Sequence, residues 1–325
     1  MPIPRHHPTR RSALCMIGAT LALGQSARAA SPTALAGQAF GTRWRITGPD
    51  VDSIPRLQHE IEMLFSRIDR QFSPWRTDSV ISQFNALPAG DHLVDRDLTH
   101  VTAAALDLAR RSEGAFDPTV GPLVARWGFG PIQMGGTPDW RGLGTAHGQL
   151  AKNRDDLTLD LCGIAKGWAL DEAAAMVRAH GLGDFLFEIG GEFISQGTHP
   201  NGRDWRVAVE APLPGQPPEA ALRLPPGAAV ATSGTRAQSY ELKGQLYSHI
   251  IDPRRHAPVP GGYRSVTVVA EDTMTADGWA TALCAAGDVA GPDLARTNDI
   301  AALFLIRDGE VTRRIQTGPI TRLML

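Results

Sequence analysis

A lysine opens a helix at residues 157–171, LTLDLCGIAKGWALD, and that is an awkward place for a cation. Leu157, Leu159 and Leu161 alternate with Thr158 and Asp160, which predicts a short buried strand. Gly163 breaks it, and residues 165–179 read as an Ala-rich helix ending at Gly181 as its C′ residue. Lys166 then sits in the first turn, where the macrodipole disfavours positive charge. Strand, glycine turn, helix N-terminus and this lysine together suggest a receptor for phosphate or carboxylate. A solvated lysine in an ordinary strand-to-helix turn is the plainer account of Lys166 alone; Asp160 and Gly163 beside it favour the receptor. Asp277 and Thr281, four residues apart, share one face of a small, apolar helix. A carboxylate and a hydroxyl are hard oxygen donors that suit Mg²⁺, which keeps waters and takes substrate phosphates for the rest. The competing account has Asp277 capping its own helix and Thr281 bonding back to the i−4 carbonyl. His249, followed by Ile250, Ile251, Asp252 and Pro253, is either a structural strand histidine or an acid or base near working pH. Phe40, Trp75 and Phe116 lie beside Gly, Pro or Ser, where they either fill the core or stack on a flat ligand.

The elements that must position these groups follow from periodicity. Ile54, Leu57, Ile61, Leu64, Phe65 and Ile68 recur at helical steps and predict a helix over 54–73. Residues 78–85 predict a short helix with Asp78 as N-cap, and 98–112 another helix. Residues 114–123 read as a punctuated loop, 130–150 as a glycine-rich surface excursion and 211–227 as a proline-rich surface loop. Strands are expected at 40–46, at 185–194 with an interruption at Gly190–Gly191, at 205–210 and at 265–270. Hairpins are expected over 240–253, turning at Lys243–Gly244, and over 301–315, turning at Asp308–Gly309. A helix over 275–286 carries Asp277 and Thr281. With no steady strand–helix alternation, the class is α+β: one large domain of mainly antiparallel sheet with packed helices.

The 325 residues, 42% hydrophobic and 20% charged, have an ordinary globular composition. A net charge near zero argues against a nucleic-acid binder, and no apolar run is long enough to predict a transmembrane segment. Residues 1–29 read as a cleaved export signal: Arg5, Arg10 and Arg11, then the apolar stretch 13–24, then Ala27-Arg28-Ala29. Thr9 to Leu14 resembles a twin-arginine signal, with Sec export the other route. The expected location is the periplasm. Leu14 before Cys15 is too large for a lipoprotein site, so no lipid anchor is expected. Residues 30–325 then form the working domain, with 28 basic and 34 acidic residues, a formal charge of −6. Its two cysteines, Cys162 and Cys284, are open to pairing or to remaining buried free thiols.

Neither a G-x-x-x-x-G-K-[ST] loop nor a strand-borne G-x-G-x-x-G occurs, and G-x-S-x-G is absent too, so the standard nucleotide folds and the α/β-hydrolase are not supported. Eight segments instead occur in a recognisable order: Phe40-Gly41-Thr42; Asp78-Ser79-Val80-Ile81-Ser82 with Asn85; Phe116-Asp117-Pro118-Thr119-Val120-Gly121-Pro122-Leu123 with Trp127-Gly128-Phe129-Gly130; Asp160 to Gly167; Ile189-Gly190-Gly191-Glu192; Ala231-Thr232-Ser233-Gly234; Ser248-His249-Ile250-Ile251-Asp252-Pro253; and Met274-Thr275-Ala276-Asp277 with Ala280-Thr281. Together, from about Phe40 to Ile315, they resemble the FAD:protein FMN transferase family (ApbE, the flavin-trafficking proteins).

The resemblance implies an exported, Mg²⁺-dependent enzyme with a T-fold-related architecture. It would take FAD as substrate and attach FMN to a Thr or Ser hydroxyl of a flavoprotein, in a membrane-associated redox complex or free in the periplasm. By position it implies that Asp160 and Lys166 contact the flavin nucleotide, and that the Gly163 carbonyl, Asp277 and Thr281 hold the metal. Phe40, Trp75, Ala115, Phe116 and Asp117 would surround FAD, and His249 would serve the transfer. The base for the acceptor hydroxyl is left open between His249, Asp252 and Asp160. Phe40 replaces a frequent Met, Trp75 a frequent Tyr, and Cys162 a frequent Gly or Ser. An FAD pyrophosphatase and a non-catalytic FAD carrier are the alternatives; a redox flavoenzyme fits least, because no nicotinamide motif accompanies the flavin signature.

Overall fold

The computed structural model describes residues 32–325 except His147, Pro214 and Glu310, so the expected leader lies outside the described residues. The chain opens with a hairpin, β1 (Thr33–Ala39) and β2 (Thr42–Gly48). Phe40 and Gly41, both at positive φ (51° and 72°), make its turn. Phe40 therefore sits in a turn rather than opening a strand, and β1 went unforeseen because TALAGQA alternates only weakly. Helix α1 (Leu57–Phe72) buries Leu57, Ile61, Phe65 and Ile68 at the predicted spacing. Helix α2 (Val80–Ala86) is capped by Ser79, whose side chain accepts the Ser82 N–H. Asp78 is thus not the cap; its carboxylate pairs with Arg76.

Next come β3 (Gly90–Leu93), α3 (Arg96–Arg111) and α4 (Gly121–Arg126), the last starting inside the expected loop 114–123. The expected excursion at 130–150 contains β4 (Leu143–Ala146) and the start of β5 (Gln149–Lys152), which join β3 in a small sheet of order β3-β5-β4. Helix α5 (Ala165–Ala179) runs as predicted, with Gly181 just past its cap at a φ of 86°. The expected strand 185–194 is a hairpin, β6 (Phe185–Ile189) and β7 (Glu192–Gln196). Strand β8 (Trp205–Val209) pairs with β9 (Ala220–Leu224), a strand inside the stretch read as a proline-rich loop. β10 (Ala229–Gly234) precedes the hairpin of β11 (Ser239–Leu242) and β12 (Gln245–Ser248), which turns at Lys243–Gly244 as predicted. Two short strands follow, β13 (Ile251–Asp252) and β14 (Ala257–Pro258), then β15 (Arg264–Ala270). Helix α6 (Thr273–Thr297) kinks at Gly287, and β16 (Ala301–Asp308) with β17 (Val311–Thr317) close the chain.

Eight antiparallel strands in the order β1-β2-β6-β7-β10-β15-β16-β17 form the main sheet, as the expected α+β class requires. Both faces are covered, which explains why β16 opens as an unbroken apolar run from Ala301 to Ile306. Ala302, Phe304 and Ile306 belong to a core shared with Phe65 of α1, Leu170 of α5 and Leu283 of α6. Ala301, Leu303 and Leu305 belong to a second core, with Trp205, Leu222 and Ile320. No helix of the described residues is long and apolar enough to cross a membrane.

Residues 157–161 form no strand, against expectation. Asn85 takes the place of a partner strand: its side-chain amide donates to the Leu159 carbonyl (2.9 Å) and accepts the Leu159 N–H (2.7 Å). The Asp160 N–H donates to the Pro118 carbonyl at 2.7 Å. Buried Lys152 locks the approach by donating to the carbonyls of Asn85, Asp155 and Leu157 at 3.1, 3.2 and 3.1 Å. Buried backbone groups need partners, so Asn85→Ala, which strands two of them, is expected to cost about 3 kcal/mol. The check is a lower urea midpoint at unchanged m-value.

Candidate active site

Helix α5 begins without a cap of its own, since the Ile164 side chain makes no capping hydrogen bond. Its cap comes from α6: Asp277 Oδ2 accepts the Gly167 N–H at 3.0 Å. The helices are close enough that a Cβ on Gly167 would lie 2.3 Å from the Thr273 carbonyl oxygen and 2.8 Å from the Asp277 Cβ. The contact is returned. Asp171 on α5 accepts the N–H groups of Thr273 and Met274, both at 2.8 Å, at the start of α6. Each helix N-terminus is thus held by a carboxylate of the other, and the two helices run antiparallel there. Asp272 is the N-cap of α6, so the reading of Asp277 as its own helix's cap is overturned. Thr281 faces Ser233 of β10, with its Oγ1 3.1 Å from the serine Oγ.

Gly163 completes the corner. A Cβ there would lie 3.2 Å from Thr281 Oγ1, 2.9 Å from Thr281 Cγ2 and 3.1 Å from the Phe116 ring. The structure therefore brings together Asp277, Thr281, the Gly163 peptide and Phe116, from separate stretches of sequence. Carboxylate, hydroxyl and carbonyl are hard oxygens, and only one carries charge. Among the described residues no three His, Cys, Asp or Glu side chains converge on a metal position. The donor set fits Mg²⁺, which takes few protein ligands and fills its shell from water and phosphate.

Lys166 does not meet the helix dipole alone, because it is ion-paired with Glu192 at the start of β7. Glu192 is 2% exposed, its Oε2 has no hydrogen-bond partner among the described residues, and burial pushes its carboxyl up to about 7. Burial likewise raises Asp277 and Asp160, partly offset for Asp277 by the Lys166 charge. Burial draws Lys166 down, but Glu192 and Asp277 outweigh it and hold the ammonium charged. Two acids thus press on one lysine in a poorly solvated corner, with a third, Asp160, in the adjoining turn. A bound cation would favour the charged forms of these carboxyls, which burial alone pushes toward protonation. A carboxyl raised above its ordinary 4.5 stabilises the folded chain below that value, and the contribution is lost as pH rises through about 7. Without divalent ions, the stability of the wild type relative to Glu192→Gln should therefore fall between about pH 5 and about pH 8. Urea midpoints across that range check it; a flat difference would contradict the burial argument.

His249 lies just past the end of β12, not within a strand as expected. Its backbone N–H and its ring Nδ1 both face the Gln238 carbonyl, at 3.1 Å each. A carbonyl only accepts, so Nδ1 carries the hydrogen and Nε2 keeps a lone pair. Burial lowers the imidazole pKa, the Gln238 bond opposes this, and the Lys166 charge lowers it further, so the neutral ring is favoured. Asp252 is 5% exposed and engaged by Arg254, whose backbone N–H and Nε reach Oδ1 at 3.0 Å and whose second amino group reaches Oδ2 at 3.4 Å.

The remaining candidates are dispersed. Ala115 and Phe116 are buried, and Asp117 Oδ1 accepts from the Thr119 N–H (2.8 Å) and hydroxyl (2.6 Å). Asp117 borders a cleft of ≈ 300 Å³ that reaches Trp140, Arg141 and Arg254. Phe40 packs edge-on against Phe65 of the core at 5.5 Å, and Trp75 is 67% exposed in the loop before α2. Cys162 and Cys284 are both free; Cys162 is exposed, against expectation, and its N–H donates to Asp160 Oδ1 at 2.9 Å. Residue type and spacing alone point to no role for Glu192, Asp171, Asn85 or Ser233. An acid straight after a glycine pair on an apolar strand was the one available signal, for Glu192.

Fold and cluster define a class: an α+β protein with oxygen donors and a paired lysine where two helix N-termini meet. The ApbE family model matches residues 40–304, and the chain belongs to the ApbE family. It is 34% identical to an FAD:protein FMN transferase of Vibrio cholerae, over 91% of this chain and 94% of that one. It is 31% identical to an FAD:protein FMN transferase of Klebsiella pneumoniae, over 87% and 86%. Among solved structures, the apo flavinyl transferase ApbE of Pseudomonas stutzeri superposes with a TM-score of 0.80 at 32% identity, covering 90% of this chain and 96% of that one.

Proposed function

We propose that this chain is an exported, periplasmic Mg²⁺-dependent enzyme that transfers FMN from FAD to a Thr or Ser hydroxyl of a flavoprotein, releasing AMP. The observation that carries the reading is the corner where Gly163, Lys166, Asp277 and Thr281 meet at the joined starts of α5 and α6. Asp277, Thr281 and the Gly163 carbonyl would hold the cation; bound there, Mg²⁺ would neutralise the pyrophosphate and polarise the phosphorus under attack.

Lys166, kept charged by its acidic neighbours, holds the charge that grows on the phosphate oxygens as the bond to AMP breaks. Asp160 borders the same turn and contacts the nucleotide. Phe40, Trp75 and the stretch Ala115 to Asp117 frame the flavin nucleotide, with Phe116 against the Gly163 turn. His249 Nε2, the unprotonated ring nitrogen, takes the acceptor hydroxyl's proton. Asp252 is better placed as a brace than as the base, since Arg254 occupies its oxygens. The hydroxyl oxygen bonds to the FMN phosphorus, the phosphoanhydride bond breaks, and AMP leaves with the electron pair. Acceptors are flavoprotein subunits of membrane-associated redox complexes or periplasmic flavoproteins.

The test is purified protein with FAD and Mg²⁺, with and without an acceptor flavoprotein. FMN-labelled acceptor with stoichiometric AMP supports transfer. AMP and free FMN in both arms would make the chain a pyrophosphatase, and intact bound FAD alone would make it a carrier.

A further inference from the structure

We propose that Asp171 is a positioning residue for the cation site, a role that rests on the metal assignment above. Both Asp171 oxygens are committed at 2.8 Å to the N–H groups of Thr273 and Met274. It thereby ties the first residues of α6 to the second turn of α5. Asp277 stands one turn further along α6 and Thr281 one turn beyond that. In the opposite sense, Asp277 Oδ2 is spent on the Gly167 N–H, leaving Oδ1 without a hydrogen bond among the described residues.

The two carboxylates fix the helices at two points about one turn apart, which sets both their separation and their sliding register. Gly163 lies just before α5, so its distance from Thr281 is fixed by the same two points. Asp272 still caps α6 through the Thr275 N–H at 2.7 Å, so the helix does not need Asp171 to form. What Asp171 adds is the placing of two donors on one helix against a third beside the other. Metal sites lose affinity when the groups that orient their ligands are removed, by about 10–100-fold.

The experiment titrates Mg²⁺ calorimetrically into the full mature chain saturated with ADP, a diphosphate with no flavin to transfer. Wild type, Asp171→Asn, Asp171→Ala and Ile320→Ala are compared. Ile320 is fully buried in the core on the far face of the sheet, so its variant loses stability without touching the helix pair. Asp171→Ala should bind Mg²⁺ at least about tenfold more weakly. Asp171→Asn, which keeps one acceptor, should fall between it and wild type, and Ile320→Ala should match wild type. Wild-type affinity in Asp171→Ala overturns the positioning role and leaves the metal site standing. Equal weakening in Ile320→Ala overturns it too, as a mere loss of stability. No Mg²⁺ binding by the wild type removes the metal assignment and this role together. If Asp171→Ala does not fold, Asp171→Asn decides: wild-type affinity overturns the role, weakened affinity supports it.

Discussion

Asp277→Ala is expected to cut FMN transfer by about 10³-fold, the equivalent of about 4 kcal/mol of transition-state stabilisation from a cation beside the pyrophosphate. The side chain serves two partners, since one oxygen caps α5 at Gly167 and the other is left for the ion. Asp277→Asn separates the two. It is nearly isosteric and keeps one oxygen for the Gly167 N–H, but it loses the negative charge. Asn should therefore hold the fold better than Ala while transferring almost as poorly. A second readout follows from mass action. Mg²⁺ at about a hundred times its dissociation constant should stabilise the wild type by about 2.7 kcal/mol. That increment should vanish in both variants. Transfer at the wild-type rate by Asp277→Ala would remove the metal from this corner.

Lys166→Met should damage stability and activity together. Glu192 and Asp277 are both buried, and Lys166 is the cation their pKa values respond to. Removing one partner of a fully buried pair typically costs about 3–5 kcal/mol; Glu192 is buried but Lys166 is 27% exposed, so the loss here should fall at or below the lower end of that range. Here the loss should depend on pH. Glu192, already raised to about 7, can take up a proton once Lys166 is gone, so the variant should lose most above neutrality and least near pH 5. Lys166→Met, Glu192→Gln should recover much of that stability, since Glu192, the direct ion-pair partner, no longer carries a charge and only the more distant effect on Asp277 remains. Transfer should not recover, because the phosphate still lacks its ammonium. Recovery of both would place Lys166 in the scaffold alone. No recovery of stability in the double variant would refute the pairing argument.

What could be read from the sequence tracks the range over which each signal acts. Helices α1, α3 and α5 were legible because their signals, apolar spacing in the first two and alanine-rich composition in the third, are local. The turn at Lys243–Gly244 was legible because two adjacent residues carry it. Strand β9 was hidden because the prolines lie in the connection beside it, and the pairing with β8 that makes it a strand is non-local. Leu157 to Leu161 alternate as a strand does, yet the partner that satisfies Leu159 is one amide side chain 74 residues away. The site divides the same way. Lys166 in the first turn of α5 was evident as an anomaly, and its companion Glu192 was not. The anomaly resolved into an ion pair reaching across to the main sheet. Family order supplied Gly163, Asp277 and Thr281 as a set; the structure adds how they are held.

The crossed capping of α5 and α6 also bears on how the protein acquires its site. Its bonds span 110 and 102 residues of chain. Closing a loop about ten times longer than a ten-residue one costs about 2 kcal/mol more entropy, and contacts of such range form slowly. The α6 start has a local cap in Asp272, but the Gly167 N–H of α5 and the Thr273 and Met274 N–H groups of α6 find their partners only when the two helices have docked. Helix content should return ahead of ligand binding in a refolding experiment. A nascent chain released before α6 holds Lys166, Glu192 and His249 but no competent corner. The corner therefore depends on a contact made between parts of the chain more than a hundred residues apart.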